Sequence, residues 1–414
     1  MGVAQTLARL VGGDTAGVRF EAYDGSGAGP ADTPAVHIRS PRALSYVAMA
    51  KGDLGLARAY VMGDLEVQGE LYTALCTLTR LDVDVPVRER LRLLRELGGL
   101  KLLRRPPLPE QEVRLRGRLH SKARDQRAIS HHYDVSNRFY EWILGPSMAY
   151  TCAVYPTADA TLEEAQFTKH DLVARKLGLR PGMRLLDVGC GWGGMVVHAA
   201  REYGVRALGV TLSRRQAEWA QKAIADAGLG ELAEVRHLDY RDVPESDFDA
   251  VSSIGLTEHI GLANLPSYFA FLYSRLRPGG RLLNHCITTP SDEVEVRRGW
   301  FISRYIFPDG ELAGPGRLAS SMNAAGFEVR HEENLREHYA LTTHAWLRNL
   351  EAHWDEAVGE VGEAKARTWR LYLAGVTLGF QQNQVQLHQI LGVKLDAEHR
   401  SGMPLRPDWE PPQT

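Results

Sequence analysis

Between Leu185 and Ala200 the chain reads LLDVGCGWGGMVVHAA: an apolar run closing on an aspartate, four glycines within six residues, then a helical pattern. A strand that ends in bare backbone and runs straight into a helix restricts the fold sharply. The helix must cross back over the sheet to a parallel neighbour, and its N-terminus is left open to a ligand. The segments that follow keep the alternation. MRLLDVGC, RALGVTL, AEVRHLDY, FDAVSSIGL and GRLLNHCIT are strand-like, with the helix GMVVHAAREYG between the first two. Ser213 caps the next helix, RRQAEWAQKAIADAG, and Gly228 stops it. The expectation is an α/β fold with a doubly wound parallel sheet. A late strand, FEVRHEENL, closes its edge, and the tail from HAWLRNL to QNQVQLHQIL is expected to be helical.

The composition of the turn narrows its ligand. The order Asp187-Val-Gly-Cys-Gly-Trp-Gly-Gly is not the Gly-x-Gly-x-x-Gly of dinucleotide binders. Asp187 at the strand end meets an ammonium or a hydroxyl well and repels a diphosphate, which suits the amino-acid end of S-adenosylmethionine. The segment preceding the turn is long enough to supply a lid. After the second strand, Thr211, Ser213 and Gln216 are available for the ribose hydroxyls, or for helix capping alone. After the third, Asp239, Tyr240 and Arg241 are available for the adenine edge and face.

At 414 residues with a net charge of −2, bulk electrostatics favour neither nucleic acid nor acidic partners. No apolar run reaches the ~18 to 20 residues of a bilayer span, and the first residues lack a secretory pattern, so the expected location is cytoplasmic. The four cysteines are scattered, which argues against disulfides and zinc. HEENL starts like a zinc-protease motif but has Leu335 where the second histidine is required. Charge is distributed unevenly. From Arg88 to Arg127 there are 13 Lys/Arg against 5 Asp/Glu, and Leu91, Leu94, Leu97, Leu100 and Leu103 recur every third residue. This segment suits an anionic membrane surface, or else a solvated connector packing its leucines on a neighbour. The expected organisation is a small N-terminal domain over 1–85, a basic linker over 86–127 and a catalytic domain over 128–414.

The blocks HHYDVSNRFYEW, YTCA, TLEEAQ, GCGWGG and GVTLSRRQ resemble the cyclopropane-fatty-acyl-phospholipid synthase and mycolic acid cyclopropane synthase family, from about residue 128 to the end. GDLGLARAYVMGDLEV is similar to the small extra domain of the bacterial phospholipid-acting members. The resemblance implies a class I S-adenosylmethionine-dependent methyltransferase, with a Rossmann-like seven-stranded sheet and a small, mainly helical N-terminal domain. It implies methyl transfer to the double bond of an unsaturated phospholipid acyl chain, at the inner face of a membrane. Tyr150 and Thr151 become lid residues over the cofactor, beside Gly189, Gly191, Trp192, Gly193, Thr211, Leu212, Ser213, Gln216, Tyr240 and Arg241. A bicarbonate ion is implied near the reacting carbon, held by Cys152, Glu258, His285, Ile287 and Tyr339. Read without the family, Glu258 and His259 are a surface pair and Cys152 a small buried hydrophobe.

An alkene attacks a sulfonium methyl only when held in line and dry. The resulting carbocation needs aromatic faces around it, and Tyr133, Phe139, Tyr140, Tyr150 and Trp192 are candidates; core packing is the alternative for each. A caged bicarbonate then serves as the base. Two departures bear on the product. Thr257 replaces an aromatic residue common in cyclopropane formers, and the histidine strand reads LLNHCITTP. Both resemble the actinobacterial branch that makes 10-methylene, tuberculostearic-type chains, which implies a partner reductase and a homo-oligomer or hetero-complex. Ring formation on the same substrate, a small-molecule N- or O-methyltransferase and a non-catalytic lipid-binding protein are the rival readings.

Overall fold

Strand burial shows why the central strands are so apolar. In the computed structural model, β1 (Arg184–Val188) sends Leu185 into a core with α2, α3 and α4. Leu186 and Val188 point the other way, into a core with α5 and α6. These helices are α2 (Leu162–Leu177), α3 (Gly194–Tyr203), α4 (Arg214–Asp226), α5 (Leu265–Arg275) and α6 (Pro315–Ala324); α1 (Asn137–Leu144) and α7 (Arg336–Ala352) flank them in sequence. The structure describes residues 2–11, 17–79, 88, 92, 95–103, 105–112, 119–122, 124, 136–293 and 299–410.

The chain forms two compact units, one of residues 115–296, 309–349 and 379–414, the other of 1–114, 297–308 and 350–378. The first contains the seven-stranded sheet. After β1 come β2 (Arg206–Thr211), β3 (Ala233–His237), β4 (Phe248–Ile254), β5 (Leu276–Thr288), β6 (Glu328–Asn334) and β7 (Gln386–Val393). Their order is β6-β7-β5-β4-β1-β2-β3. Strands β1 to β5 run parallel, and β7 is antiparallel to both β5 and β6. Chain direction along the sheet reverses between β4 and β1, so a crevice opens beyond their C-terminal ends. The TLEEA stretch starts α2 with a capping box between Thr161 and Glu164, and left-handed Gly178 ends it.

The tail expected to be helical contains a strand, and the small unit expected to be mainly helical contains a sheet as well. The tail helix stops at Gln381, Asn383 turns the chain at φ 58°, and Gln386–Val393 enters the sheet between β5 and β6. Because β7 has neighbours on both edges and is buried on both faces, its apolar run carries no period to separate strand from helix. In the other unit, Leu65–Gln68 pairs antiparallel with Ala35–Ile38. They belong to a four-stranded sheet with Arg19–Ala22 and Gly27–Ala28, accompanied by helices Val3–Leu10, Pro41–Met49, Leu54–Val61 and Leu71–Thr79. Polar contacts bind the later segments into this unit. Arg58 and Tyr305 share Glu112, Arg367 pairs with Glu66, and Asp53 accepts from the Phe301 N–H. Of the basic stretch, Leu97 and Leu102 are buried, whereas Arg88, Arg92 and Arg95 are exposed. Leu91 and Leu94, and the side chains of Leu100 and Leu103, lie outside the described residues. Among the described residues no helix is long and apolar enough to cross a membrane.

Candidate active site

The glycine turn forms the floor of a cleft at the C-terminal ends of β1, β2 and β4. Gly189, Gly191 and Trp192 line it. Gly189 and Gly191 have φ of 71° and 55°, which only glycine adopts without strain. Gly193 supports the cleft from behind: at φ 83°, a Cβ there would lie 2.9 Å from the Ala220 Cβ, so its bareness lets α3 and α4 approach. No side chain caps α3 at this end, which leaves the helix N-terminus to a ligand.

Asp187 also lines the cleft. Its Oδ1 accepts from Ser252 Oγ at 2.6 Å, and burial lifts its carboxyl to about 7. Thr211, Leu212 and Gln216 form the β2 side, where Thr211 Oγ1 donates to Gln216 Oε1 at 2.8 Å. Ser213 caps α4 by accepting from the Gln216 N–H. Of the group after β3, Tyr240 faces the cleft, while Asp239 and Arg241 are paired to one another at 2.6 Å.

Tyr150 and Thr151 lie across the cleft on a segment pinned from two sides. From α2, Gln166 Nε2 donates to the carbonyls of Ala149 and Thr151 at 3.2 and 2.9 Å, and Lys169 Nζ donates to Thr151 Oγ1 at 3.0 Å. From α7, Thr342 Oγ1 and His338 Nδ1 accept the N–H groups of Ala153 and Tyr155, each at 3.0 Å. Lys169 and His170 line the cleft as well, and sequence reasoning missed both. The available signal was a pair of polar residues, Gln166 and Lys169, on the helix face that buries Ala165, Leu172 and Val173.

The five residues expected around a bicarbonate ion fall into two groups. Glu258 sits in the turn Thr257–His259 after β4, and its Oε1 accepts from the Ile287 N–H at 2.7 Å. Burial lifts its carboxyl to about 7, and Oε2 has no partner among the described residues. His285 is wholly buried on β5, and its carbonyl accepts from the Gly255 N–H at 2.8 Å. A relay fixes its tautomer. Lys176 Nζ donates to Gln389 Oε1 at 2.7 Å, so the amide turns its Nε2 toward His285 Nδ1 at 3.2 Å. Nδ1 therefore accepts, the ring proton sits on Nε2, and that buried atom has no partner among the described residues. Gln389, on the strand that was read as helix, was not foreseen in this role.

The second group meets at the start of α7. Cys152 Sγ donates to Ala153 O at 3.1 Å and contacts Leu335 O, which also accepts the Tyr339 N–H at 3.1 Å. Burial pushes the thiol far above its usual value, so it is no thiolate at neutral pH. The groups join where Gly255, bound to His285, lacks a Cβ that would lie 3.0 Å from Thr151 Cγ2.

Aromatic rings run from the glycine turn to Tyr339. Centroid separations are 4.8 Å for Trp192–Tyr140, 5.9 Å for Tyr140–Tyr150, 5.2 Å for Tyr150–Trp346 and 6.0 Å for Trp346–Tyr339. Phe139 packs on Tyr140, and Phe380 stacks on Tyr339. Tyr133 lies outside the described residues. The two sequence departures are in contact, since Thr257 Oγ1 donates to Asn284 Oδ1 at 2.6 Å in a fully buried pair.

Residues 120–390 match the family described as mycolic acid cyclopropane synthetase. A probable fatty acid methyltransferase of Mycobacterium tuberculosis is 54% identical over 407 residues, 95% of each chain. The cyclopropane-fatty-acyl-phospholipid synthase of Escherichia coli is 31% identical over 88% of each chain. The mycolic acid cyclopropane synthase CmaA1, solved with SAH and CTAB, superimposes with a TM-score of 0.62 at 32% identity, covering 65% of this chain and 98% of that one. The sheet order, the glycine turn and these likenesses agree: the chain belongs to the mycolic acid cyclopropane synthetase family and is an S-adenosylmethionine-dependent methyltransferase of class I fold.

Proposed function

We propose that the protein methylates the double bond of unsaturated, oleoyl-type acyl chains of phospholipids and yields a 10-methylene chain. The observation that carries this reading is a pair of buried polar atoms without partners among the described residues, Glu258 Oε2 and His285 Nε2; His285 is bonded to Gly255, which packs against the lid residue Thr151, and Glu258 follows three residues after that glycine. A buried polar atom without a partner costs roughly 1 to 3 kcal/mol, and two on neighbouring elements are the kind of site a small polar ion fills. His285 offers an N–H, and Glu258, with its carboxyl lifted to about 7, is partly protonated at neutral pH and offers an O–H. That donor set fits hydrogencarbonate, with Tyr339 and the Cys152 backbone completing the cage. Ile287 acts in it by orienting Glu258 through its N–H. Bound there, hydrogencarbonate supplies a base weak enough not to be alkylated.

S-adenosylmethionine supplies the electrophilic methyl from the glycine-turn cleft. The chain's own residues do the rest. Tyr150 and Thr151 cover the cleft and exclude water, which would otherwise trap a carbocation as an alcohol. The contiguous rings of Trp192, Tyr140, Tyr150 and Trp346, of which Tyr150 and Trp192 line the cleft, would stabilise the developing positive charge. The methylene product is supported by the Thr257–Asn284 pair at the place where ring formers commonly carry an aromatic residue, and by the 54% identical fatty acid methyltransferase. Ring closure is the second reading, favoured by the name of the Escherichia coli relative. In the methylene reading a hydride shift precedes deprotonation of the new methyl, and a reductase consumes the product. The basic leucine-rich stretch is proposed to meet an anionic membrane surface at the inner face.

The test removes the base in two ways. Glu258→Ala abolishes turnover on oleoyl phospholipid vesicles and leaves S-adenosylhomocysteine binding within about threefold, and wild-type turnover falls in buffer freed of carbon dioxide and returns with added hydrogencarbonate. Turnover by Glu258→Ala at the wild-type rate refutes the assignment.

A further inference from the structure

The cleft contains two buried charges of opposite sign that do not pair with one another. Lys169 on α2 is 1% exposed and Asp187 at the end of β1 is 2% exposed, and both line the cleft. Lys169 Nζ donates to Thr151 Oγ1 at 3.0 Å and to His170 Nε2 at 2.7 Å. Burial drives His170 well below its usual range, followed by the repulsion of Lys169, so the ring is neutral. Among the described residues, the side chain of Asp187 accepts from the Ser252 hydroxyl at 2.6 Å and from no cationic group. Among the described residues, then, neither charge has an ionic partner, although each feels the field of the other.

Desolvated charges in this state are costly. Lys169 is held down to about 7 and Asp187 is lifted to about 7, both by burial first. An ammonium group keeps a third N–H after its two contacts. A ligand bearing an ammonium and a carboxylate on one carbon satisfies both residues at once, and the bare helix N-terminus beside them adds a favourable field for the anionic end. We propose that Lys169 is the recognition residue for the α-carboxylate of the methyl donor, forming with Asp187 a clamp for the amino-acid end. The proposal rests on the S-adenosylmethionine reading of the cleft and adds to it a residue whose partner is one chemical group. Lys169 also lies within electrostatic reach of His285, so the test must separate a cofactor carboxylate from a hydrogencarbonate ion.

Calorimetry on the full-length protein does this with three ligands. S-adenosylhomocysteine carries both groups, its decarboxylated analogue keeps only the amine, and 5′-methylthioadenosine has neither. Wild type binds S-adenosylhomocysteine on the order of tenfold or more tighter than the decarboxylated analogue, as a charge-assisted contact implies. Lys169→Met shrinks that ratio to about twofold or less while methylthioadenosine binds as before. The methionine keeps the aliphatic volume but removes the charge and both hydrogen bonds, so thermal melting of Lys169→Met accompanies the calorimetry to establish that the variant is folded. A ratio that persists in Lys169→Met overturns the proposal and assigns the lysine to another anion. Equal weakening of all three ligands also overturns it, since the lysine would then only support the lid. If wild type binds none of the three, the methyl-donor reading itself fails.

Discussion

Glu258→Gln separates what this carboxyl does for turnover from what it costs the fold. Burial lifts it from 4.5 to about 7, and the Ile287 N–H opposes the rise incompletely. An acid whose folded value is raised holds its proton more tightly in the folded chain than in the unfolded one. Its cost is therefore absent below 4.5, grows as pH rises through that window, and is complete above about 7. The whole interval corresponds to roughly 3 kcal/mol, of which about 2.5 kcal/mol falls between pH 5 and pH 8. Glutamine keeps the carbonyl oxygen that accepts from Ile287 and carries no charge. Its amide replaces the unpartnered Oε2, so the diagnostic quantity is the change with pH, not the absolute difference. Urea titrations at pH 5 and pH 8 are expected to show Glu258→Gln gaining about 2.5 kcal/mol on wild type between the two conditions, while methyl transfer is lost at both. A stability difference that does not move with pH would show that Glu258 is not the desolvated acid described here.

The remaining predictions are narrower. Gly193→Ala forces a Cβ to 2.9 Å from Ala220 at φ 83° and is expected to lose roughly 2 kcal/mol, seen in thermal melting; a melting point equal to wild type contradicts it. Gly191→Ala meets nothing within 4 Å and costs only the left-handed backbone, about 1 kcal/mol, so its main effect is weaker S-adenosylhomocysteine binding by calorimetry. Thr257→Val strands the Asn284 carbonyl and costs roughly 1 to 3 kcal/mol, and adding Asn284→Leu recovers part of it; strictly additive losses would show the pair is not coupled. Gln389→Leu releases His285 Nδ1, so ¹⁵N spectra should change from a single Nε2-protonated form to a mixture, with slower turnover. An unchanged tautomer signal rules out the relay.

The parts of the fold legible in sequence are those whose pattern is local. The glycine turn, the Thr161–Glu164 capping box and the amphipathic α4 all declare themselves within a few residues, and the sheet follows from their alternation. The strand Gln386–Val393 does not, because its identity comes from partners β5 and β6 more than 50 residues away. The same holds for Leu65–Gln68, which is a strand by virtue of Ala35–Ile38. At the site, the lid and glycine-turn residues that line the cleft could be picked out from sequence, whereas Lys169, His170 and Gln389 could not. Each is a polar side chain in an apolar frame, and its meaning depends on atoms brought close by the fold: Thr151 for Lys169, and His285 for Gln389. Asp239 and Arg241 show the converse, since two groups available to a ligand are engaged with each other.

The most direct measurement follows the methyl carbon. Oleoyl phospholipid vesicles incubated with the protein and S-adenosylmethionine labelled with ¹³C in its methyl group are predicted to give lipid carrying the label as an exocyclic methylene carbon in the acyl chain. Label in a three-membered ring would overturn the product, and label absent from the acyl chain but present on a soluble amine or phenol would contradict olefin methylation altogether.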